Sequence, residues 1–444
     1  MRIDRLEIEN FKCFEKLSFD LNPHFTLFVG ENGSGKTSVL EALAIAASVW
    51  LVSPPDPSLS SSCRNILETD VRLLAEVRGD RTQFVERNPT RVTMYSWIHN
   101  QSFPWKVQFG ERQHMPEWPP QWAEWITAGH RLFGQIAYAY RRDAEGEPVI
   151  FPVVAHYGAG RAWPSDPVGP ISKKKEDGPA RRWAAFKGCF SGRIHFDQLD
   201  AWFRRETLAR GSQGRWRPGF EIIQRAIVQC LPGADRAWFD ADRDEVIVSI
   251  EGEPQPLSNL SAGQRMMATL AADIAIKAVT QNAFLVPSDE LRELDESLPR
   301  VLAETPGIVL IDELDVHLHP KWQRRVASDL KRTFPAIQFV CTSHSPQIIG
   351  ELKPDEIRVL DHGKVYVPPR SFGIDSSRIL EDLMASPSRD ESVRQKLSRL
   401  FHLIDLEDFT NANAALVEVE VELGPDDPEV IRARSLIAFL QSTI

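Results

Sequence analysis

No run of 18 apolar residues occurs in this 444-residue chain, so no segment is expected to cross a membrane as a helix. Cysteine is scarce and unpatterned. Cys13, Cys63, Cys189, Cys230 and Cys341 are odd in number, lie far apart and form no CxxC. That argues against a disulfide framework and against a thiolate zinc site, and favours a reduced, cytoplasmic setting. No basic-then-apolar leader stands before the strand-like opening Met1-Arg2-Ile3-Asp4. An excess of positive charge is also lacking. Lys and Arg number 52 against 62 Asp and Glu, giving −10, so the chain as a whole is not drawn non-specifically to nucleic acid. What is present is ordinary for a globular protein, 42% hydrophobic and 26% charged, at a length that calls for two or three packed units.

Residues 1–50 read as strand, turn, strand, loop and helix. Phe25-Thr26-Leu27-Phe28-Val29 is a short apolar run ending at a glycine, as a buried strand does. The alanine-rich stretch from Ser38 to Trp50 reads as a helix. Residues 51–150 read as an insertion with short strands and a cluster of tryptophans (Trp97, Trp105, Trp118, Trp122, Trp125) expected to form a small local core. Residues 161–217 read as a solvated loop rich in Gly, Pro, Lys and Arg, with a phosphate-tracking patch as the alternative. From 258 to 361 the pattern is helix and strand in alternation, which predicts α/β with a largely parallel sheet. The tail, 377–444, reads as helical with a break at Gly424-Pro425.

Gly30-Glu31-Asn32-Gly33-Ser34-Gly35-Lys36-Thr37 matches GxxxxGK[ST] between an apolar strand and a helix. Glycines let backbone N–H groups curl round a β-phosphate, a lysine supplies charge to the β- and γ-phosphates, and the hydroxyl of Thr37 ligates Mg²⁺. The candidate ATP contacts are therefore Asn32, Gly33, Ser34, Gly35, Lys36, Thr37 and Ser38. Ile308-Val309-Leu310-Ile311-Asp312-Glu313 is an apolar strand ending in two carboxylates. Asp312 is the candidate for the Mg²⁺ shell and Glu313 for orienting and deprotonating a water. Ser261 precedes a long helix, where an N-cap belongs.

Leu260-Ser261-Ala262-Gly263-Gln264 also resembles the LSGGQ signature of ABC-type ATPases, with Ala262 in place of a glycine. Phe339 to Ser345 is a further strand ending at His344, which resembles that family's γ-phosphate-sensing histidine. The four motifs in this order resemble the ABC/SMC class over residues 1–50 and 150–361. The opening Ile8-Glu9-Asn10-Phe11-Lys12-Cys13-Phe14 resembles that of SMC, RecF and OLD-type ATPases, which makes Lys12 a candidate nucleotide contact. Asp312-Glu313-Leu314-Asp315-Val316-His317-Leu318-His319-Pro320, with Thr342-Ser343-His344-Ser345-Pro346 and Tyr157-Gly158-Ala159-Gly160-Arg161, looks like the bacterial OLD/RecF-like branch. Asp315 then begins a D-loop at a dimer interface.

The resemblance implies an ABC-type P-loop ATPase head with a mixed, largely parallel sheet. Its parts are 1–50 with the phosphate loop, an inserted subdomain at 51–150, 151–376 with the remaining motifs, and a helical C-terminal region at 377–444. It implies an ATP-sandwiched homodimer, or a higher oligomer built on it, in which Ser261, Ala262, Gly263 and Gln264 of one copy close over the γ-phosphate held by the other. Glu313 and His344 would be the catalytic pair, with ATP and Mg²⁺ as cofactors. No Toprim or HNH nuclease pattern is visible, and the helical tail resembles the ATPases of Septu and retron defence systems, which work beside a separate HNH-type nuclease and, in retrons, a nucleic acid. The alternative is a RecF-like repair ATPase that binds DNA directly.

Overall fold

The computed structural model describes residues 1–52, 54–78, 81–98, 101–110, 130–162, 182–194, 202–207, 218–286 and 298–443. Two compact units divide it, Met1–Ile374 and Asp375–Ile444.

The first unit is built on a six-stranded sheet. In chain order its strands are β3 (Phe25–Gly30), β8 (Val153–Tyr157), β12 (Gly307–Ile311), β13 (Ile337–Thr342), β14 (Ile357–Asp361) and β15 (Lys364–Tyr366), arranged β15-β14-β3-β13-β12-β8. All neighbours are parallel except β15, which pairs antiparallel with β14. β12 and β13 are buried along their whole lengths, which is why both read as continuous apolar runs rather than alternating ones. The α/β sheet inferred from residues 258–361 is thus present, and it lines up the carboxyl ends of β3, β13 and β12, where ligands of open α/β sheets bind.

A second, antiparallel sheet has the order β2-β1-β6-β7, from β1 (Arg2–Phe11), β2 (Phe14–Asp20), β6 (Thr90–Ile98) and β7 (Gln101–Phe109). Helix α1 (Lys36–Ala47) lies between the two sheets and is buried on nearly every side. Its core neighbours include Ile8, Met94 and Trp105 from the antiparallel sheet and Ile308, Leu310 and Val340 from the parallel one. Four alanines among its twelve residues keep it slim enough for both sheets to approach.

This arrangement corrects the expectation of a local tryptophan core in residues 51–150. Trp105 is buried in the main core of the unit, and β6 pairs with β1 over seven residue pairs. Trp97 is part-exposed, beneath the guanidinium of Arg2. Trp118, Trp122 and Trp125 lie outside the described residues, as does most of 161–217. Within 51–150, β4 (Arg72–Arg78) and β5 (Arg81–Arg87) form a two-stranded ribbon of their own.

Helices α2 (His130–Ala144), α3 (Pro218–Cys230), α4 (Ala262–Gln281) and α5 (Pro320–Thr333) complete the first unit, with the small sheet of β9 (Ala234–Asp240), β10 (Glu245–Ile250) and β11 (Glu253–Pro256). The second unit packs α6 (Glu391–Asp405), α7 (Phe409–Leu423) and α8 (Pro428–Thr443) round Leu400, Ile404, Ala412, Val419, Val430 and Ala433. It carries fourteen acidic against seven basic residues, so −7 of the total −10 sits in its seventy residues. Among the described residues no helix is long and apolar enough to cross a membrane.

Candidate functional site

The loop from Gly30 to Lys36 turns sharply because Gly33 and Gly35 take positive φ, +82° and +99°. At Gly35 the close approach matters as much as the angle, since a Cβ there would lie 2.4 Å from the ring of Phe14. Glycine is the residue without that Cβ. α1 then begins with no side-chain cap and no acidic residue in its first turn. Its N-terminal N–H groups and dipole are left for an anion, as a phosphate site requires. Lys36 donates from Nζ to the carbonyls of Gly30 (2.9 Å) and Glu31 (2.8 Å), so the ammonium is folded back over the loop. Burial lowers its pKa below the usual lysine range, while Asp312, Glu313 and Asp315 pull the other way.

The carboxyl end of β12 faces this loop. Thr37 Oγ1 donates to one carboxylate oxygen of Asp312 (2.9 Å) and Thr342 Oγ1 donates to the other (2.6 Å). The Thr342 hydroxyl also accepts from the backbone N–H of Glu313 (2.7 Å). Asp312 thus ties the carboxyl end of β13 to the first turn of α1. Glu313 follows with φ +50°, a left-handed conformation that costs a non-glycine residue on the order of 1 kcal/mol or more. It is held there from both sides. Leu314 N–H bonds the carbonyl of Thr342 (2.8 Å), and the buried guanidinium of Arg161 donates to the carbonyls of Asp312 and Glu313, the latter at 2.9 Å.

The residues named as a D-loop and a switch form one network. Asp315 accepts from Ser343 Oγ (2.6 Å) and from the N–H of His344 (3.3 Å). Ser345 Oγ donates to Gln323 Oε1 (2.7 Å), and Gln323 Nε2 donates to the carbonyl of Leu318 (2.9 Å). Burial first, and then the charge of Lys36, lower the pKa of His344, favouring its neutral imidazole.

The signature segment is arranged differently. Ser261 and Ala262 are exposed. Ser261 caps α4 in a reciprocal box: its N–H bonds Gln264 Oε1 (2.9 Å) and its Oγ accepts from Gln264 N–H (3.3 Å). Gly263 is buried against the D-loop, where a Cβ would lie 2.4 Å from the carbonyl oxygen of His317. Within one chain, then, Lys36, Thr37, Asp312, Glu313, Asp315 and His344 come together, and Gly263 of the signature packs on the D-loop backbone at His317.

Lys12 sits at φ +49° beside the start of β2. Its ammonium pairs with Glu41 of α1 and lies 3.6 Å from buried Asp70, which also accepts from Arg64 (2.9 Å). Asn32 and Gly33 are exposed at the tip of the phosphate loop, Ser34 is half-buried, and Ser38 lies in the first turn of α1. Gln323, Glu41 and Asp70 carry no mark in the sequence, and Thr342 stands there only as the first letter of Thr342-Ser343-His344-Ser345-Pro346. Single threonines, glutamines and acids carry no pattern until the strands are aligned. Arg161 was visible only as the last letter of Tyr157-Gly158-Ala159-Gly160-Arg161.

Thr37 and Asp312 present hard oxygen ligands 2.9 Å apart beside the phosphate loop, and among the described residues no group of three or more His, Cys, Asp or Glu forms a denser cage. That fits Mg²⁺, which binds through one or two protein oxygens plus phosphate oxygens.

Two family models match the chain, one described as AAA domain over residues 5–101 and one as AAA domain, putative AbiEii toxin, Type IV TA system over 251–350. The retron Ec83 probable ATPase of Escherichia coli is 28% identical over 98% of this chain and 86% of its own length. The retron Vc95 probable ATPase of Vibrio cholerae is 22% identical over 87% and 80%. Septu protein PtuA of Bacillus mycoides is 23% identical over 81% of this chain and 40% of its own length. The chain is thus similar along nearly its whole length to proteins named as probable ATPases, and both family models that match it describe an AAA domain. Among solved structures the SMC head domain from Thermotoga maritima aligns over 83% of this chain at 14% identity with TM-score 0.42. The ATPase assignment rests on the long relatives and on the motifs the fold brings together.

Proposed function

We propose that two copies of this ATPase sandwich ATP between them, and that closing and hydrolytic reopening of the pair is the switch of an anti-phage defence complex that controls a separate HNH-type nuclease. In each copy the triphosphate lies on Lys36, the loop amides of Asn32 to Gly35 and the first turn of α1 at Thr37 and Ser38. Lys12 reaches the nucleotide from the turn between β1 and β2 on exchanging its carboxylate partners. Thr37 would ligate Mg²⁺ and Asp312 would hold its water shell, and the ion would supply charge neutralisation for the phosphates. Glu313 orients a water and takes its proton as the water oxygen attacks the γ-phosphorus. The bond from that phosphorus to the bridging oxygen breaks, releasing ADP and phosphate. His344 senses the γ-phosphate, and Asp315 couples that histidine to the interface. Ser261, Ala262, Gly263 and Gln264 of the second copy close the site.

The observation that carries this reading is the pair of hydroxyls on Asp312 beside Glu313, whose own backbone is held at its left-handed turn. The exposure of Ser261 and Ala262 supports their use by another copy. The defence role is supported by the extent of the likeness, since the retron relative aligns with 98% of the chain. The DNA replication and repair protein RecF of Lactococcus lactis aligns with only 11%. A cytoplasmic location and contact with a retron nucleic acid belong to the same reading.

The test is mass by light scattering, for wild type and Glu313→Gln, with and without Mg-ATP, alone and with neighbour-encoded proteins. An ATP-dependent pair that persists in Glu313→Gln and recruits or releases a nuclease is the expected result. A mass indifferent to ATP, in a chain that binds DNA alone, would replace the switch by the repair reading.

A further inference from the structure

We infer that Arg161 is a positioning residue for hydrolysis: its guanidinium holds the backbone at Asp312–Glu313 in the one conformation that presents the Glu313 carboxylate to the γ-phosphate. The inference rests on the proposed ATPase reading.

Arg161 lies 151 residues from Asp312 in sequence and is fully buried. It reaches the end of β12 because β8 and β12 run parallel in register, with Tyr157 opposite Ile311, and because the turn after β8 doubles back. Tyr157 accepts the N–H of Asp312 through its carbonyl (2.8 Å), and the N–H of Arg161 closes the turn on the carbonyl of Gly158 (3.1 Å). The guanidinium then donates to three backbone carbonyls, those of Gly158 (3.2 Å), Asp312 and Glu313 (2.9 Å). Its Nε is buried without a hydrogen-bond partner among the described residues.

The choice of carbonyls is informative. In an extended strand successive carbonyls point to opposite sides, so one planar guanidinium cannot bind both. Here it binds two in succession, and it can do so only because the chain leaves the β conformation at Glu313, with φ +50°. A side chain that merely closed the turn after β8 would need Gly158 alone. The fork therefore favours the kinked backbone over the straight one, and Thr342 fixes the same residue through its N–H from the opposite strand. Burying a guanidinium is costly unless its donors are used. Here two of them act on the successive carbonyls that flank the kink at the candidate base.

The experiment measures Mg-ATP affinity and steady-state phosphate release for the full chain carrying Arg161→Gln or Arg161→Lys, each alone and combined with Glu313→Gln. Arg161→Gln is expected to lower kcat at least about tenfold, with affinity and KM within about threefold of wild type. A residue that acts only through Glu313 costs nothing further once Glu313 is gone, so the loss should vanish in the Glu313→Gln background. Arg161→Lys keeps the cation but not the fork, and should show a smaller kcat loss with the same background dependence. It is the variant to judge by if Arg161→Gln does not fold. Equal losses in both backgrounds, kcat and affinity falling together, or wild-type turnover in both variants would overturn the assignment. A wild-type chain that binds Mg-ATP without turnover would instead overturn the hydrolysis reading, and this inference with it.

Discussion

The two halves of the proposed ATP site are built to different degrees of completion. At the end of β12, Asp312 has both oxygens held and Glu313 is gripped at its N–H and its carbonyl by β13 and by the turn after β8. At the start of α4, the side chains of Ser261 and Gln264 are spent on each other's backbone N–H groups, and Ser261 and Ala262 face solvent. The first half is finished within the chain. The second presents capped but exposed residues, as expected of a surface that a second copy would meet. Gly263 joins them, packed on the carbonyl of His317 in the same loop whose Asp315 holds the Ser343–His344 strand end.

If that contrast is right, substitutions in the finished half should abolish chemistry in a single chain, and those in the other half should act on association. The largest effect is expected from Lys36→Ala, which removes the cation over the loop. ATP affinity should fall at least about a hundredfold, read by titration with a fluorescent ATP analogue. Glu313→Gln should cut turnover by about a hundredfold or more while leaving ATP binding intact, and should accumulate paired chains by light scattering. Gly263→Ala forces a methyl into the His317 carbonyl and should cost about 1–3 kcal/mol in thermal or denaturant unfolding. It should also weaken ATP-driven pairing, because the D-loop must move to make room. Ser261→Ala should cost only about 1 kcal/mol of stability, by removal of the cap. A Ser261→Ala chain that still pairs on ATP as wild type does would show that the hydroxyl serves the helix alone.

A further expected effect is an acid sensitivity of the fold. Burial depresses the pKa of His156 to about 4 from its ordinary 6.5, so the folded chain binds fewer protons there than the unfolded one. Its contribution is fully present above pH 6.5 and is lost as pH falls toward 4. Between pH 6.5 and 5 this should remove roughly 1–2 kcal/mol, and His156→Gln should flatten the slope in pH-dependent denaturant melts.

Much of this was legible in the sequence because phosphate chemistry constrains contiguous residues. The glycine spacing of the loop, the apolar strand ending in Asp312-Glu313, and the strand ending at His344 are local strings, and the fold places each at the carboxyl end of a parallel strand or in the turn after it. The helices of the tail are local strings too, and are readable for that reason. What could not be read were pairings between distant segments. Nothing between Thr90 and Phe109 announces that these residues complete the sheet begun by β1, so the segment looked like part of an insertion with its own core. Thr342 and Arg161 act on backbone atoms at the end of β12, and no residue pattern encodes contact with a backbone. The pairing of Lys12 with Glu41 and Asp70 was equally hidden, because an ion pair across 58 residues leaves no trace in a one-dimensional string.

The uneven distribution of charge has a consequence for how the molecule meets a polyanion. With −7 carried by the last seventy residues, the remaining chain through Ile374 is nearly neutral at −3. Added salt then does two opposite things to any binding of nucleic acid. It weakens attraction at cationic contacts by removing the gain from released counterions, and it screens the repulsion between the acidic helices and the phosphates. The two trends subtract, so the salt slope of the whole chain would understate the number of phosphates it neutralises. A shallow slope here is therefore not by itself the mark of a weak electrostatic contact.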